Sequence, residues 1–388
     1  MSWRFRKTFK VLPGVKLNLT RNGLSATIGA SPFSVNVGPR GVYRNVSIPG
    51  TGIWSRQSLD SPAETPSVLE PSASQVPSAT PVLSETAVTE VRSASTELLT
   101  SQNLDALKAL LNEAYNERST LTQEVAVSER EAATAKRRYE SWARGFLFKR
   151  IFKQSFAARK ETAETAQAKF DELKEQLRLT KLATQIEIDR QQAEPYYSMR
   201  DDFSALCECQ KTWDTLDRRV VNRAVERSAA HEAINREMVQ FSLDSCDLIE
   251  WEQKVPHLPN RNGGDLYVYP GFVLYRASRQ AFALIDFREI TLTFQTVRFI
   301  EEEPVPSDSQ VVGQAWAKSN KDGSPDRRFK NNYQISIAQY GVLIFGSRTG
   351  LQEEYQFSNP ALADRFAKSW NVFQASFAPI KRARSGKA

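Results

Sequence analysis

Residues 144–160 bring cationic and aromatic side chains together at a density that can support binding. Six Lys or Arg residues and four Phe residues, with no acidic residue, lie within these 17 positions. Such a segment can contact anionic lipid headgroups, an acidic protein or nucleic acid. A structural interpretation stays open, in which the rings cap a helical turn and the cationic groups remain in solvent. The candidate binding residues are Phe148, Lys149, Arg150, Phe152 and Lys153.

A second polar segment, residues 320–332, carries the adjacent pair Arg327 and Arg328. A guanidinium can grip a carboxylate or a phosphate through paired hydrogen bonds, so the segment is a candidate recognition loop. In the structural alternative, Asp326 and the two arginines satisfy one another. Oxygen-bearing side chains at 320, 322, 324 and 326 alternate as in a calcium loop. However, Gly323 is at the fourth place rather than the sixth, and we therefore predict no metal site.

Other residue types that could support catalysis lack the required spacing. Cys207 and Cys209 lie in sequence of helical character, where residues two apart point to different faces. No ligand spacing joins them to His231 and Cys246. A glycine-rich phosphate loop, a nucleophile elbow and a zinc-protease motif are all missing from the sequence. The sequence therefore predicts a protein that is not an enzyme, with no catalytic residue, no cofactor and no metal.

The distribution of glycine predicts where helices and strands alternate. Of the 17 glycines, seven lie in residues 1–59, one is Gly145, and nine lie after residue 255. Between residues 82 and 255 the one proline is Pro195. Scarcity of both helix breakers predicts a helical region over residues 98–245. We expect two long helices that turn near Gly145 into an antiparallel coiled-coil hairpin, a stop or kink at Pro195, and a third helix over about 197–240.

Residues 1–57 predict a small, basic, Gly-rich antiparallel β domain. Short alternating runs separated by turns such as Asn22-Gly23 are typical of consecutive hairpins. The motifs RFRK, PGV, GPRG and IPGTG resemble, in order, the bacterial N-terminal domain of unknown function 4236. That resemblance implies a bacterial or phage source and a compact β module, and it brings no activity. The candidate binding residues of this domain are Arg4, Arg6, Lys7, Lys10 and Arg40.

Residues 58–97 predict a disordered tether. Nineteen of these 40 residues are Ser, Thr or Pro, and six acidic residues face one basic residue. Such a composition cannot bury enough apolar surface to offset the entropy of ordering.

Residues 246–378 predict a β domain that ends in an amphipathic helix. Alternating runs begin at residue 265 and recur every 8–12 residues with longer excursions, which is typical of an antiparallel sandwich or barrel. Asn359-Pro360 starts the closing helix, on which Leu362, Phe366, Trp370 and Phe373 form one apolar stripe. This pattern resembles a pleckstrin-homology-like (PH-like) domain. Residues 379–388 form a basic tail.

The sequence thus predicts an α+β multidomain protein that binds other molecules. We expect a non-enzymatic binding or scaffold protein, with a protein as its main partner. Nucleic acid bound through the basic N-terminal domain and the hairpin tip is the alternative, since those segments could track phosphates. Contact of the tip with a membrane surface and self-association through the helical region also stay open. Three cysteines, and no apolar run of about 18 residues, lead us to expect a cytoplasmic location.

Overall fold

A computed structural model describes residues 15–20, 23–30, 33–38, 41–47, 54–58, 88–144, 152–179, 184–249, 251–320 and 322–377. The helices are α1 (Thr96–Leu99), α2 (Asp105–Ala143), α3 (Lys153–Leu179), α4 (Arg190–Leu206), α5 (Arg223–Glu226) and α6 (Pro360–Ala375). The strands are β1 (Val15–Thr20), β2 (Gly23–Ala30), β3 (Phe33–Gly38), β4 (Gly41–Ser47), β5 (Trp54–Ser58), β6 (Val88–Glu90), β7 (Thr184–Ile188), β8 (Thr212–Val220), β9 (Glu232–Val239), β10 (Ser242–Asp244), β11 (Val255–Leu258), β12 (Asp265–Tyr269), β13 (Phe272–Arg276), β14 (Phe282–Asp286), β15 (Ile290–Glu301), β16 (Gln310–Trp316), β17 (Gln334–Ser347) and β18 (Gln352–Phe357).

The first sheet contains the predicted N-terminal strands and one strand from far along the chain. Strands β1 to β5 form an antiparallel meander in sequence order. Strand β7 then pairs in parallel with β1, from Val15 opposite Thr184 to Leu19 opposite Ile188. The alternating runs and turn signals predict strands β1 to β4 of this meander, and β5 is a further strand that they do not predict. The parallel strand has no local sequence signal, because its partner lies more than 160 residues away.

Helices α2 and α3 form the predicted antiparallel hairpin, which we call the arm. Ring contacts and an ion pair join residues 139 to 156, 142 to 152 and 131 to 169, so the helices run in opposite directions. The base of α2 is anchored in the main core through Leu107 and Leu111. Beyond Tyr115, the arm's buried side chains among the described residues are Ser128, Ala132 and Leu173. The arm therefore has a thin internal seam and a broad polar surface.

Two further sheets enclose the main core. Strands β10 to β14 form one antiparallel sheet. The other, which we call the second sheet, follows the order β15-β17-β18-β8-β6, with β16 added to β17 and β9 added to β8. Helices α4 and α6 pack on each other, and the rings of Tyr196 and Phe203 on α4 meet Phe373 and Phe366 on α6. The side chain of Asn359 accepts hydrogen bonds from the first turn of α6, which confirms the predicted start of that helix.

The prediction of a helix over residues 197–240 is wrong beyond Leu206. Residues Thr212–Val220 and Glu232–Val239 are strands β8 and β9, and they pair along most of their length. Trp213 packs on Tyr340 of β17 with 5.2 Å between ring centroids, so tertiary packing decides the structure of this segment. The absence of Gly and Pro was a weak signal, because tertiary context overrides propensity.

Two other helical boundaries differ from the prediction. The second helix of the arm ends at Leu179, and Pro195 lies inside the separate helix α4 rather than at a helix end. Part of the predicted tether is also ordered. Residues 88–90 form strand β6 on β8, and Ser93 and Thr96 are buried. Residues 59–87 lie outside the described residues.

The strands predicted after residue 264 are present, but the PH-like arrangement is not confirmed. In the described part of the chain, the hydrogen-bonded strand orders give two open sheets rather than one closed barrel. Strands β6, β8 and β9 also join the second sheet, and no PH-like pattern in the sequence indicated them. The alternation predicts separate strands over residues 333–337 and 341–345, but residues Gln334–Ser347 form the single strand β17.

Candidate binding surfaces on the arm and the C-terminal sheet

The described end of the arm carries a cluster of aromatic residues. The rings of Tyr139 and Phe156 lie 5.3 Å apart, and those of Trp142 and Phe152 lie 6.4 Å apart. The guanidinium carbon of Arg159 lies 4.1 Å from the ring centroid of Trp142, within the range of a cation–π interaction. Each contact joins α2 to the residues at the start of α3. The cluster therefore fastens the end of α2 to the start of α3.

The aromatic cluster buries the side chain of Phe152 only in part. Its side chain packs against Trp142, yet it is 49% exposed. This position agrees with both interpretations of the tip, a structural cap and a contact surface. Lys153 is the first residue of α3. Phe148, Lys149 and Arg150 lie outside the described residues, as do Arg4, Arg6, Lys7, Lys10 and Arg40.

A shallow groove runs between the two helices of the arm and is rich in cationic side chains. Three guanidinium groups line it, and the carboxylate of Glu131 also accepts Lys169 Nζ at 3.2 Å. Arg159 belongs to the cationic segment 144–160, whereas no sequence pattern distinguishes Arg130 and Arg138, because helix surfaces are commonly charged. The lining residues are Val127, Arg130, Glu131, Thr134, Ala135, Arg138, Arg159, Thr162 and Ala166.

The two arginines of the predicted recognition loop have different roles. Arg328 donates two hydrogen bonds from its guanidinium to the buried carboxylate of Asp326, at 2.9 and 2.6 Å. Those bonds hold the pKa of Asp326 at about 2, below its ordinary range. Arg328 is therefore part of the loop's framework, as the structural interpretation predicted. Both arginines are exposed, with 66% of the Arg328 side chain in solvent, but it is Arg328 that pairs with Asp326.

Two exposed aromatic side chains lie close to Arg327 along the loop. Phe329 is 44% exposed and Tyr333 is 63% exposed. The loop is held in shape by Asn332, whose side chain bonds both the N–H and the carbonyl of Lys318. The loop thus presents a cation and two rings to solvent on a fixed backbone, which suits an anionic or aromatic partner.

Two buried carboxylates lie together on the core face of the second sheet. Glu353 on β18 and Asp214 on β8 are both fully buried. Burial raises the pKa of Glu353 to about 8 and that of Asp214 to about 6. Asp214 nonetheless accepts a hydrogen bond at 2.7 Å from the backbone of Arg261, and Glu353 accepts one at 2.5 Å from Ser93. Because both carboxylates are enclosed by the core, they do not form an accessible catalytic pair.

An arginine on the opposite face of the same sheet, with 9% of its side chain exposed, fills an aromatic cage. The guanidinium carbon of Arg236 lies 3.9 Å from the ring centroid of Trp213 and 4.0 Å from that of Phe299. Glu301 accepts a hydrogen bond from Arg236 at 2.5 Å and another from Tyr340 at 2.7 Å. The cage is thus occupied by a residue of this chain and contributes to folding rather than to ligand capture.

The three cysteines are free thiols of low reactivity. Burial raises the pKa of Cys207 to about 12 and that of Cys209 to about 11, and it also raises the pKa of Cys246. Cys207 follows the last residue of α4 rather than lying within a helix. Among the described residues, no group of three or more His, Cys, Asp or Glu side chains is arranged to hold a metal ion. In that same part of the chain, no helix combines the length and apolar character needed to cross a membrane.

Comparison with known proteins identifies one region of the chain. No match is found among curated proteins, and none among solved structures. Residues 3–56, which include strands β1 to β4 and the start of β5, match the model of a family described as a protein of unknown function, DUF4236. The N-terminal region is therefore similar to that family, as its motifs indicated.

Proposed function

We propose that this chain is a non-enzymatic binding or scaffold protein of bacterial or phage origin that works in the cytoplasm. Its main partner in this proposal is another protein, contacted at the end of the arm. The observation that carries the proposal is the arm itself, whose long helices expose most of their side chains and converge on a half-exposed aromatic residue, Phe152. An arm of this kind can act only by contacting another molecule.

The chemistry of the arm supports an anionic or mixed partner surface. The groove arginines Arg130, Arg138 and Arg159 lie on the same two helices as the aromatic cluster. Aromatic and arginine side chains are enriched at protein interfaces, where they supply most of the binding free energy. The core of the protein contributes a stable base, because Leu107 and Leu111 fix the arm to it.

The alternative function is association with nucleic acid. The net charge of +7 and the nine Lys or Arg residues of the N-terminal 59 residues favour it. Binding to phosphates releases counterions, so the affinity for an arbitrary DNA duplex would fall steeply as salt concentration rises. A salt titration of the full chain against such a duplex tests this alternative. A flat response, or no binding at low salt, would exclude it.

A finer proposal concerns the C-terminal region. We propose that its strands and closing helix act as a PH-like recognition module through the loop that holds Arg327. The support is the sequence pattern together with the exposure of Arg327, Phe329 and Tyr333. Replacing Arg327 with Ala should weaken binding to the partner without loss of folding, whereas an unchanged affinity would remove this loop from the interface.

A further inference from the structure

One face of α2 carries a row of charged and apolar residues along the groove of the arm. The row, which we call the groove stripe, consists of Glu124, Val127, Glu131, Ala135 and Arg138. Spacings of three, four, four and three residues keep these positions on one side of the helix. All but the first line the groove, and Glu124 continues the same face toward the base of the arm. The stripe is therefore a continuous surface about 21 Å long.

The charged ends of the groove stripe are unpaired within the described part of the chain. Glu124 and Arg138 are exposed, and neither side chain forms an ion pair or hydrogen bond with a described residue. Between them, the side chain of Val127 is 53% exposed. The floor of the groove includes the small side chains of Ala135 and Ala166, which let another helix approach closely. The stripe is thus suited to receive a helix from a second molecule.

The groove stripe is symmetrical in spacing and opposite in charge about Glu131. Seven residues before this centre lies Glu124, and seven residues after it lies Arg138. Val127 and Ala135 lie four residues to either side. When two copies of α2 lie antiparallel about a twofold axis at the centre, each glutamate end faces an arginine end and each valine faces an alanine. A parallel arrangement would place like charges against each other, so the spacing favours the antiparallel one.

The central glutamate is compensated from its own arm. On the twofold axis, Glu131 of one copy lies near Glu131 of the other, and two unpaired carboxylates would repel. Lys169 Nζ, however, lies 3.2 Å from the carboxylate of Glu131 in the same chain. The exposed Arg130 also lines the groove beside it. Each copy therefore brings its own cations to the centre of the interface.

The charge of the whole arm follows the same antiparallel pattern. Residues 136–160, at the outer end, include nine Lys or Arg residues and one acidic residue. The rest of the arm, residues 105–135 and 161–179, includes eleven acidic and six basic residues. In the antiparallel arrangement, the basic end of each arm lies beside the acidic part of the other. Complementary charge of this kind steers association and fixes register.

We propose that two copies of this chain associate antiparallel through the groove of the arm, on a twofold axis at Glu131. The exposed carboxylates of Glu124 and Glu131 favour a second copy over nucleic acid, because they would repel its phosphates. This association goes beyond the binding proposed for the end of the arm and does not depend on it. Neither Phe152 nor Gln167 lines the groove, so the two contacts use separate surfaces.

An exchange of charge across the interface tests the proposal. Glu124→Arg and Arg138→Glu each place like charges at both ends of the stripe, so each variant alone should raise the dissociation constant of the dimer about tenfold or more. An equimolar mixture of the two variants restores an attractive pair at both ends and should dimerise as tightly as wild type. Sedimentation velocity of the full chain over a range of concentrations, in low salt, measures the dissociation constant.

Two further substitutions on α2 are the matched controls. Glu129→Arg and Arg137→Glu make the same changes of charge at exposed positions that do not line the groove. Both should leave the dissociation constant unchanged, because these positions lie outside the face that carries the stripe. Circular dichroism checks that all four variants keep the helices of the arm.

Paired cysteines test the register independently of charge. Val127→Cys mixed with Ala135→Cys should give a disulfide-linked dimer under mild oxidation, because the proposed axis brings these two positions together. Val127→Cys alone should not, since its two copies are displaced by about 12 Å along the helix axis.

Three results would overturn the proposal. They are a wild-type chain that stays monomeric at about 100 μM in low salt, a mixture of the charge variants that stays monomeric, and control variants that weaken the dimer as much as the stripe variants do. In the first case, binding of an arbitrary DNA duplex that Arg138→Glu abolishes would assign the groove to nucleic acid instead.

Discussion

The guanidinium of Arg159 lies over the ring of Trp142, with 4.1 Å between the guanidinium carbon and the ring centroid. Arg159 belongs to α3 and Trp142 to the last turn of α2, so this contact joins the two helices of the arm. Trp142 also contacts the ring of Phe152, which remains half-exposed. The end of the arm therefore has an inner residue that fastens the helices and an outer one that faces solvent.

Substitutions of Trp142 and of Phe152 should have different effects on the local stability of the arm. Trp142→Ala removes the cation–π contact and a ring contact, and we expect a loss of about 1–3 kcal/mol in the local stability of the arm end. Phe152→Ser should cost less, because half of that ring is already in water. Hydrogen exchange of residues 135–143 measures both effects. Equal loss of protection in the two variants would show that Phe152 is merely structural.

Arg236 should stabilise the second sheet by pairing with the carboxylate of Glu301. Arg236→Met leaves the Glu301 carboxylate buried without its cation, and we expect the free energy of unfolding to fall by about 3–5 kcal/mol. The double variant Arg236→Met/Glu301→Gln should recover part of that loss, because the buried charge is then gone. Urea denaturation monitored by tryptophan fluorescence measures the free energy of unfolding of both variants. A double variant no more stable than the single one would contradict this explanation.

Because of Asp214, the free energy of unfolding should fall as pH rises through mildly acidic values. Burial raises its folded-state pKa to about 6, so its contribution to stability is present below its ordinary pKa and is lost as pH rises through about 6. Relative to wild type, Asp214→Asn should therefore gain stability between pH 4 and 6, by up to about 3 kcal/mol, and then level off. Urea denaturation at several pH values provides the difference. A constant difference across this range would exclude the shifted pKa.

Gly341 should be required for the packing of α6 on β17. A Cβ atom at this position would lie 2.9 Å from Pro360 Cα and 3.0 Å from Ala363 Cβ, so the helix would have to move. We expect Gly341→Ala to lower the melting temperature, at a cost of about 1–3 kcal/mol. Gly313→Ala is the control, because its nearest neighbour would be 3.5 Å away. Similar melting temperatures for the two variants would contradict the steric argument.

The two arginines of the recognition loop should behave differently. Arg328→Ala removes the guanidinium that binds the buried carboxylate of Asp326, and hydrogen exchange of residues 322–332 should accelerate. Arg327→Ala should leave exchange of the same residues unchanged. Acceleration in both variants would show that Arg327 also supports the loop.

Local sequence signals predicted the elements whose partners are near in the chain. Asn22-Gly23, the cap at Asn359 and the alternation after residue 264 each act over a few residues, and the corresponding hairpins and helix are present. Strand β8 pairs with β18 and β6, which are distant in sequence, so its extended structure depends on contacts that no local pattern records. Gly341 illustrates the same limit, since no local pattern shows that its missing side chain permits the close approach of a helix.

The candidate site was predicted by residue type rather than by role. The sequence indicates that Arg327 and Arg328 can both bind an anion, yet only the folded loop shows that Asp326 uses the second. The carboxylates of Asp214 and Glu353 lie far apart in sequence on polar-looking strands, and nothing local shows that the core encloses both. Burial, which requires the complete fold, decided these assignments.

Photo-crosslinking from the end of the arm tests the proposed binding function most directly. A photoreactive amino acid in place of Phe152, in the full chain expressed in a bacterium, should give a discrete adduct with another protein. Gln167 is the matched control, because it is also exposed but lies within α3, away from the aromatic cluster. The account predicts an adduct at position 152 and none at 167. The absence of a protein adduct at 152, or the same adducts at both positions, would contradict it.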